Sequence, residues 1–224
     1  MQRLDVAVEF SISKARKAQV CMAKKVIAED RGPEDIRLVA GVDAAYYESW
    51  AICALAVLDY ESLKILETKT VIQQVKFPYI PSLLSFRELP AAMLCIRKLK
   101  MQPDVFLVDG HGKAHPYRCG FACHLGLALG KPTIGVGKSK LVGEVKRVRN
   151  EDLLVLSGEV VGARITTRIG SKPVFVSVGH MISLQTAIEI TKSCSIKNRI
   201  PEPIRQAHKL ASEERKLKMV ELAK

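Results

Sequence analysis

The first half of the chain switches from helix-like to strand-like spacing of its apolar residues. From Asp5 to Glu29 apolar side chains recur every three or four residues, which predicts a helix. The three β-rich runs that come next are joined by short connections and predict an antiparallel meander. These runs are Ile36–Tyr47, Ala51–Asp59 and Leu63–Val75. A second helix is predicted over Leu83–Lys100, in which Pro90 either starts the regular part or introduces a kink.

The second half follows the order strand, helix, strand that is typical of parallel pairing. Val105–Val108 and Pro132–Val136 are short apolar strands, and the helix between them, Cys119–Leu129, should end at Gly130. More β structure and then two helices are predicted at Leu153–Ile165, Val174–Val178, Leu184–Lys192 and Pro201–Leu222. The sequence therefore predicts an α/β fold of ribonuclease H-like order, in which a mixed β-sheet is flanked by α-helices.

Composition narrows the class of protein. Apolar residues make up 48% of the 224 residues and are spread along the whole length, so we expect one domain, residues 1–224, with a real core. No run reaches the roughly 18 uncharged apolar residues of a membrane span, and the start lacks a secretory pattern. We therefore expect no membrane contact and a cytosolic or nuclear location, with the cytoplasm as first choice. A monomer is expected as well. The six cysteines form no C-x-x-C pair, so we expect reduced thiols.

Charge and motifs point to a polyanionic partner but exclude two familiar ligands. The formal net charge of +12 favours nucleic acid, because neutralised phosphates release counterions; a solvated basic surface is the alternative. Gly110-His111-Gly112 starts like a dinucleotide-binding motif, but His115 stands at the third glycine position. Gly137-Lys138-Ser139 ends like a P-loop, but Pro132 stands where its first glycine belongs. NAD and ATP are therefore excluded.

Three carboxylates carry the candidate chemistry. Asp43 lies in a strand of small and apolar residues, and Asp109 ends another apolar strand, where solubility does not explain an acid. If these strands are neighbours, both carboxylates converge, and Glu88 could reach the same point from the helix between them. At 4 Å and a dielectric of about 20 each pair repels by about 4 kcal/mol, which a hard cation such as Mg²⁺ or Mn²⁺ would relieve. Two such ions can activate water against a phosphodiester. The alternative is that an acid caps a helix or faces solvent.

The residues around these acids resemble the endonuclease V family, the nucleases that act at deaminated purines. The resemblance runs from about Ala40 to His208 as a series of ordered blocks. The blocks are Gly41-Val42-Asp43, Phe77-Pro78-Tyr79-Ile80-Pro81, Phe86-Arg87-Glu88, Val108-Asp109-Gly110-His111-Gly112, His115-Pro116, Gly135-Val136-Gly137-Lys138, Pro201-Glu202-Pro203-Ile204-Arg205 and His208. It implies a ribonuclease H-like fold, a need for Mg²⁺ with Mn²⁺ as a substitute, and nicking at the second phosphodiester 3′ to inosine.

The resemblance also implies roles for individual residues. Asp43, Glu88 and Asp109 match the metal-binding acids. His208 matches a histidine near the metals and the attacking water, and Lys138 matches a lysine that contacts phosphate near the cut.

A second set of residues matches the parts of the family that separate the strands and bind the lesion. Pro78, Tyr79, Ile80 and Pro81 match the strand-separating wedge, in which prolines stiffen the loop and the tyrosine stacks where a base has left. The alternative is a turn with Tyr79 packed on the core. The lesion pocket would use backbone near Gly110 and Phe121, with Leu84 and Leu141 as apolar walls. Gly110 and Gly112 permit close approach of the base, or simply make a tight turn.

Some residues leave alternatives open. His115 could contact phosphate, orient a water or close its turn. Lys146, Arg147 and Arg149 could follow the nucleic-acid backbone. Tyr117 stands where a basic residue is expected, which leaves one phosphate contact in doubt.

The leading hypothesis is a DNA repair endonuclease for deoxyinosine and other deaminated bases. An inosine-specific endoribonuclease and a non-cleaving binder of deaminated nucleic acid are the alternatives. Its partner would be DNA with deaminated bases or inosine-containing RNA.

Overall fold

The computed structural model describes residues 11–222. Its first helix, α1, spans Ile12–Ala23 and begins at Ser11, whose hydroxyl accepts the N–H of Lys14. The predicted helix over residues 5–29 is thus found in its middle, and its part before residue 11 lies outside the described residues. Its continuation to Glu29 is wrong, because the chain turns after α1 and the N–H of Ile27 donates to Nδ1 of His180 at 3.2 Å.

Nine strands form one mixed sheet. They are β1 (Leu38–Tyr47), β2 (Trp50–Asp59), β3 (Ile65–Gln74), β4 (Val105–Asp109), β5 (Thr133–Gly137), β6 (Glu144–Val148), β7 (Glu151–Leu156), β8 (Glu159–Ile165) and β9 (Val174–His180). Their spatial order is β3-β2-β1-β4-β5-β9-β8-β7-β6. β1, β2 and β3 are antiparallel, and β4 lies parallel to both β1 and β5. The predicted antiparallel meander and parallel βαβ unit are confirmed, and with them the ribonuclease H-like α/β fold.

The sheet departs from the prediction at its far edge. The run predicted over Leu153–Ile165 is two strands, because Ser157 and Gly158 turn the chain with positive φ angles of 53° and 81°. β6 was not predicted, since its residues are mostly exposed and charged and therefore lack the apolar pattern of a buried strand.

In the described part of the chain, four helices besides α1 flank the sheet. They are α2 (Leu84–Arg97), α3 (Phe121–Leu129), α4 (Leu184–Ser193) and α5 (Glu202–Leu222). α2 and α3 pack on one face, over Val42, Leu55 and Val108, whereas α4 and α5 pack on the other, over Val39 and Leu107. Helices on both faces bury the central strands completely, which explains their continuous apolar runs.

Two further details bear on the sequence predictions. Pro90 lies inside α2 rather than at its start. Within residues 11–222, no helix is both long and apolar enough to cross a membrane.

Candidate active site

Adjacent parallel strands bring the first two acids together. Val42 of β1 is in register with Val108 of β4, so Asp43 and Asp109 follow at the same level of the sheet. A third residue, His208, comes from α5, and its Nδ1 lies 2.7 Å from Oδ2 of Asp43. One ligand atom from each of these residues lies within 4.8 Å of the others. We call these three residues and Glu88 the acidic centre.

A glycine on β1 allows α5 to reach this point. A Cβ atom at Gly41 would collide with the backbone carbonyl of Pro203 in the first turn of α5. Because Gly41 has no side chain, the helix lies directly on the strand and carries His208 to Asp43.

Glu88 approaches from α2 on the opposite face of the sheet. It is half-buried and does not belong to the tight group of three ligand atoms. It nevertheless senses both aspartates, since burial and then the charges of Asp43 and Asp109 raise the pKa of Glu88 to about 8. The three acids picked out from the sequence therefore share one electrostatic environment.

The surroundings of Asp43 also favour a positive charge near its carboxylate. Burial and the neighbouring Asp109 raise the pKa of Asp43, and His208 and Lys138 oppose this rise. Two carboxylates and an imidazole, with a third carboxylate nearby, fit the oxygen-rich ligand set that Mg²⁺ and Mn²⁺ prefer.

Lys138 supplies a cation at the same place. It follows the end of β5, and its Nζ donates to Oδ2 of Asp109. Its own backbone is held by Arg199, whose Nη2 donates to the carbonyls of Lys138 at 2.6 Å and Pro173 at 2.8 Å. No sequence pattern indicated Arg199, because a side chain that binds backbone carbonyls belongs to no motif.

A cavity of about 310 Å³ opens beside the acidic centre. Its walls include the two acids Glu88 and Asp109 and most of the residues predicted to bind the lesion. Those predicted residues are Tyr79, Pro81, Leu84, Gly110, His115, Phe121 and Leu141. Ser82, Ser85, His111 and Gly120 complete the lining.

Three of the predicted lesion-binding residues do not line this cavity. Pro78 and Ile80 lie in the loop on either side of Tyr79. Gly112 packs against β9 instead, where a side chain would collide with the carbonyl of Val178, and its N–H donates to Oγ of Ser177 at 2.8 Å. The absence of a side chain at Gly112 therefore serves packing rather than the approach of a ligand.

The loop that borders the cavity, residues 77–82, is called the rim loop below. Tyr79 at its centre is 67% exposed, which excludes the alternative in which this ring packs on the core. The loop is fixed at its start by Arg87, whose Nη1 donates to the carbonyl of Phe77 at 2.9 Å.

Two histidines reach the cavity as neutral groups. Burial, with smaller contributions from His111 and Arg16, lowers the pKa of His115 to about 4. At neutral pH His115 therefore offers no positive charge to a phosphate, and its Nδ1 accepts the N–H of Tyr117 at 3.2 Å, which closes the turn. Burial also lowers the pKa of His111. Within the described part of the chain, Nδ1 of His111 is buried without a hydrogen-bond partner.

Tyr117, which stands where a basic residue is expected, lies beside a basic side chain of another element. The guanidinium of Arg16 in α1 lies 4.3 Å from the centre of the Tyr117 ring. Lys146, Arg147 and Arg149 are exposed in β6 and the turn after it, where Arg147 is paired with Asp152.

All six cysteines are free thiols, and only Cys21 among them is exposed. Cys119, Cys123 and His124 do not form a group with metal-ligand geometry within residues 11–222.

Carboxylates that converge on the central strands of this fold, in a set that suits a divalent cation, define the class of the protein as a nuclease. A family model described as Endonuclease V matches residues 20–209, and the chain belongs to the endonuclease V family. It is similar to the endonuclease V of Thermofilum pendens, with 46% identity over 205 residues, which are 91% of this chain and 88% of that protein.

Solved structures agree with this assignment. The crystal structure of endonuclease V from Streptomyces avermitilis gives a TM-score of 0.87 at 36% identity and covers 93% of this chain and 95% of that one. The endonuclease V of Ciona intestinalis, solved with a 24-mer DNA containing an inosine followed by a ribo-adenosine, gives 0.80 at 31% identity, with 93% and 98% covered.

Proposed function

We propose that the protein is a DNA repair endonuclease that recognises deaminated bases, chiefly deoxyinosine, and hydrolyses the second phosphodiester bond 3′ to the lesion with Mg²⁺. Mn²⁺ can substitute. The observation that carries the proposal is the cavity, because Glu88 and Asp109 belong both to its walls and to the acidic centre. A base held there would lie beside the groups that cut the strand. The complex of the Ciona intestinalis relative with inosine-containing DNA supports the same substrate.

The cavity suits a single base. Its volume lies at the lower end of the range of about 300–1,000 Å³ that small-ligand sites span. Leu84, Phe121 and Leu141 provide apolar contact for the faces of a purine, while the backbone at Gly110 can read its edge. Extruding a base from a duplex costs a few kcal/mol, and a mispaired inosine lowers this cost. The exposed ring of Tyr79 would fill the gap that the base leaves.

The acidic centre supplies the hydrolytic part. Asp43, Glu88 and Asp109 would hold the cation, and His208 lies at its edge through its contact with Asp43. When bound, Mg²⁺ provides Lewis-acid stabilisation of the charge that develops at the phosphate and lowers the pKa of water. Lys138, which pairs with Asp109 in the free protein, would turn to a phosphate oxygen near the cut.

A second candidate function is an inosine-specific endoribonuclease with the same site. The ribo-adenosine that follows the inosine in the Ciona intestinalis complex favours it, since a 2′-hydroxyl is tolerated next to the lesion in that relative. A non-cleaving binder of deaminated nucleic acid has less support, because binding alone does not need three carboxylates that repel one another. We propose a monomer that acts in the cytoplasm, where free thiols such as these persist.

One assay separates these functions. Labelled duplexes with a single inosine, in DNA and in RNA, are incubated with the protein and Mg²⁺ or Mn²⁺. Cutting of inosine DNA but not of the adenosine control supports the proposal, and preferential cutting of RNA supports the second candidate. Equal cutting of inosine-free controls contradicts lesion recognition, and tight binding without any cutting supports the binder.

A further inference from the structure

One side chain of helix α1 is fully buried beside the cavity. Gln19 is completely inaccessible, although it belongs to a helix whose other residues are mostly exposed. Its Nε2 donates to two backbone carbonyls, that of Ser82 at 2.9 Å and that of Cys119 at 2.8 Å. One amide group therefore uses both of its N–H donors on carbonyls 37 residues apart in the sequence, at positions 82 and 119.

These two carbonyls belong to different chain segments at the cavity. Ser82 is the last residue of the rim loop and lines the cavity itself. Cys119 directly precedes Gly120 and Phe121, which line the cavity at the start of α3. The Gln19 amide therefore ties the rim loop to the segment that precedes α3.

Arg16, one turn earlier on α1, completes the contact. Its Nη2 donates to the carbonyl of Pro81 at 2.9 Å and its Nη1 to that of Ser82 at 3.2 Å. The same Nη1 donates to Oε1 of Gln19 at 3.1 Å, so Arg16 also fixes the orientation of the glutamine amide. The guanidinium is held from its other side by the ring of Tyr117.

The rim loop needs such support at this end. Ser82 has a φ angle of +64°, in the left-handed region that is strained for a residue with a side chain. Arg16 and Gln19 donate hydrogen bonds to the Ser82 carbonyl and thereby stabilise this conformation. Neither Arg16 nor Gln19 belongs to the acidic centre.

We propose that Gln19 and Arg16 are positioning residues for base recognition. They fix the width of the cavity and the position of the rim loop, which carries Tyr79. The inference rests on the proposed function, since it assigns the cavity to an extruded base. Removing the Gln19 amide takes its donor from the carbonyl of Cys119 and leaves that of Ser82 with the longer bond from Arg16. The Cys119 carbonyl regains a partner only if the two segments move apart and admit water. Asp43 and Asp109 stay in place, because β1 and β4 hold them independently of α1.

The test substitutes Gln19→Met, which keeps the length of the side chain and removes both donors. For a duplex with one inosine we expect KM to rise about tenfold, the lower range for unpairing a buried hydrogen-bonding group, with kcat little changed. Hydrogen–deuterium exchange of the free protein should become faster in residues 78–85 and 119–123 and stay unchanged in 38–47. Arg16→Lys, which keeps the charge and loses the two-pronged contact, should give a smaller rise in KM.

Ser11→Ala is the matched control, because it removes the N-cap of the same helix without touching the cavity. If a weaker α1 alone explained the result, this variant would raise KM as much as Gln19→Met does, and the proposal would be wrong. A Gln19→Met protein with the KM and the exchange pattern of the wild type would overturn it as well, as would a fall in kcat at constant KM. A wild-type protein that does not prefer inosine overturns the proposed function instead, and the exchange measurement then still decides whether Gln19 holds the two segments together.

Discussion

The acidic centre and the rim loop are held in place by different means. Asp43 lies within β1, which is paired with a neighbour on each side, and Glu88 lies within a helix that packs on the same sheet. The rim loop has no such frame: Arg87 fixes its first carbonyl, and two side chains of α1 fix its last two. Hydrolysis is thus assigned to residues held by the sheet and its packed helix, and lesion recognition to a loop held by side-chain contacts. A substitution in one of these parts should therefore impair one activity and spare the other.

The largest effect on cleavage is expected in the acidic centre. Asp43→Asn keeps the shape of the side chain but removes a charge that would hold the cation. Cleavage of the inosine duplex should fall by about 10³-fold or more, the consequence of losing several kcal/mol of charge stabilisation. Binding of the duplex should be retained, and gel-shift titration beside single-turnover kinetics measures both. Near-normal cleavage would remove Asp43 from the mechanism.

A smaller and different effect is expected in the rim loop. Tyr79→Ala removes a ring that can stack on a base, worth about 1–3 kcal/mol, so affinity for the inosine duplex should fall by roughly 5–150-fold. Stabilisation of the protein by Mn²⁺ should not change, because Tyr79 is not among the residues of the acidic centre. Tyr79→Phe is the control that keeps the ring and should behave like the wild type. Unchanged affinity of the alanine variant would contradict the stacking role.

The smallest effect concerns pH and the cation. Burial and the neighbouring aspartates raise the pKa of Glu88 from 4.5 to about 8, so its contribution to the stability of the metal-free protein is complete below pH 4.5 and is lost as the pH rises through about 8. Asp43 shifts in the same direction. A cation binds the ionised carboxylates, so excess Mg²⁺ should raise Tm by a few degrees more at about pH 9 than at about pH 6.

The matched variants for this measurement are Glu88→Gln and Glu61→Gln. The first removes the titrating carboxyl beside the aspartates and should diminish the pH dependence of the Tm shift. The second changes an exposed glutamate and should leave it intact. If both variants retain the full pH dependence, Glu88 does not take part in binding the cation.

The same contrast explains what could be predicted from the sequence. Asp43 and Asp109 were recognisable because an acid in an apolar strand needs a reason, and parallel register then brings the two together. Glu88 was a candidate because the helix between the two strands could carry it to the same point, whereas only the resemblance to the family suggested His208. The central strands were predictable because burial on both faces leaves continuous apolar runs, whereas the exposed strand β6 has none.

The side chains that hold the rim loop and the backbone of Lys138 were missed for a related reason. Gln19, Arg16 and Arg199 act by donating to backbone carbonyls, and a carbonyl is present at every residue, so no sequence pattern marks the partner. The burial of Gln19 could not be inferred either, since its helix has polar residues on most sides. His111 was noted in a failed nucleotide motif and in one block of the family resemblance but was given no role, although it lines the cavity.

The central claim is that a base held in the cavity directs the acidic centre to a fixed bond of the same strand. Mapping the product ends from a DNA duplex with one inosine, end-labelled and incubated with Mg²⁺, tests it most directly. The account predicts a single nick at the second phosphodiester 3′ to the inosine, which moves along the strand with the inosine when its position is changed. Nicks that stay in place when the inosine is moved, or that occur equally in the adenosine duplex, would contradict it.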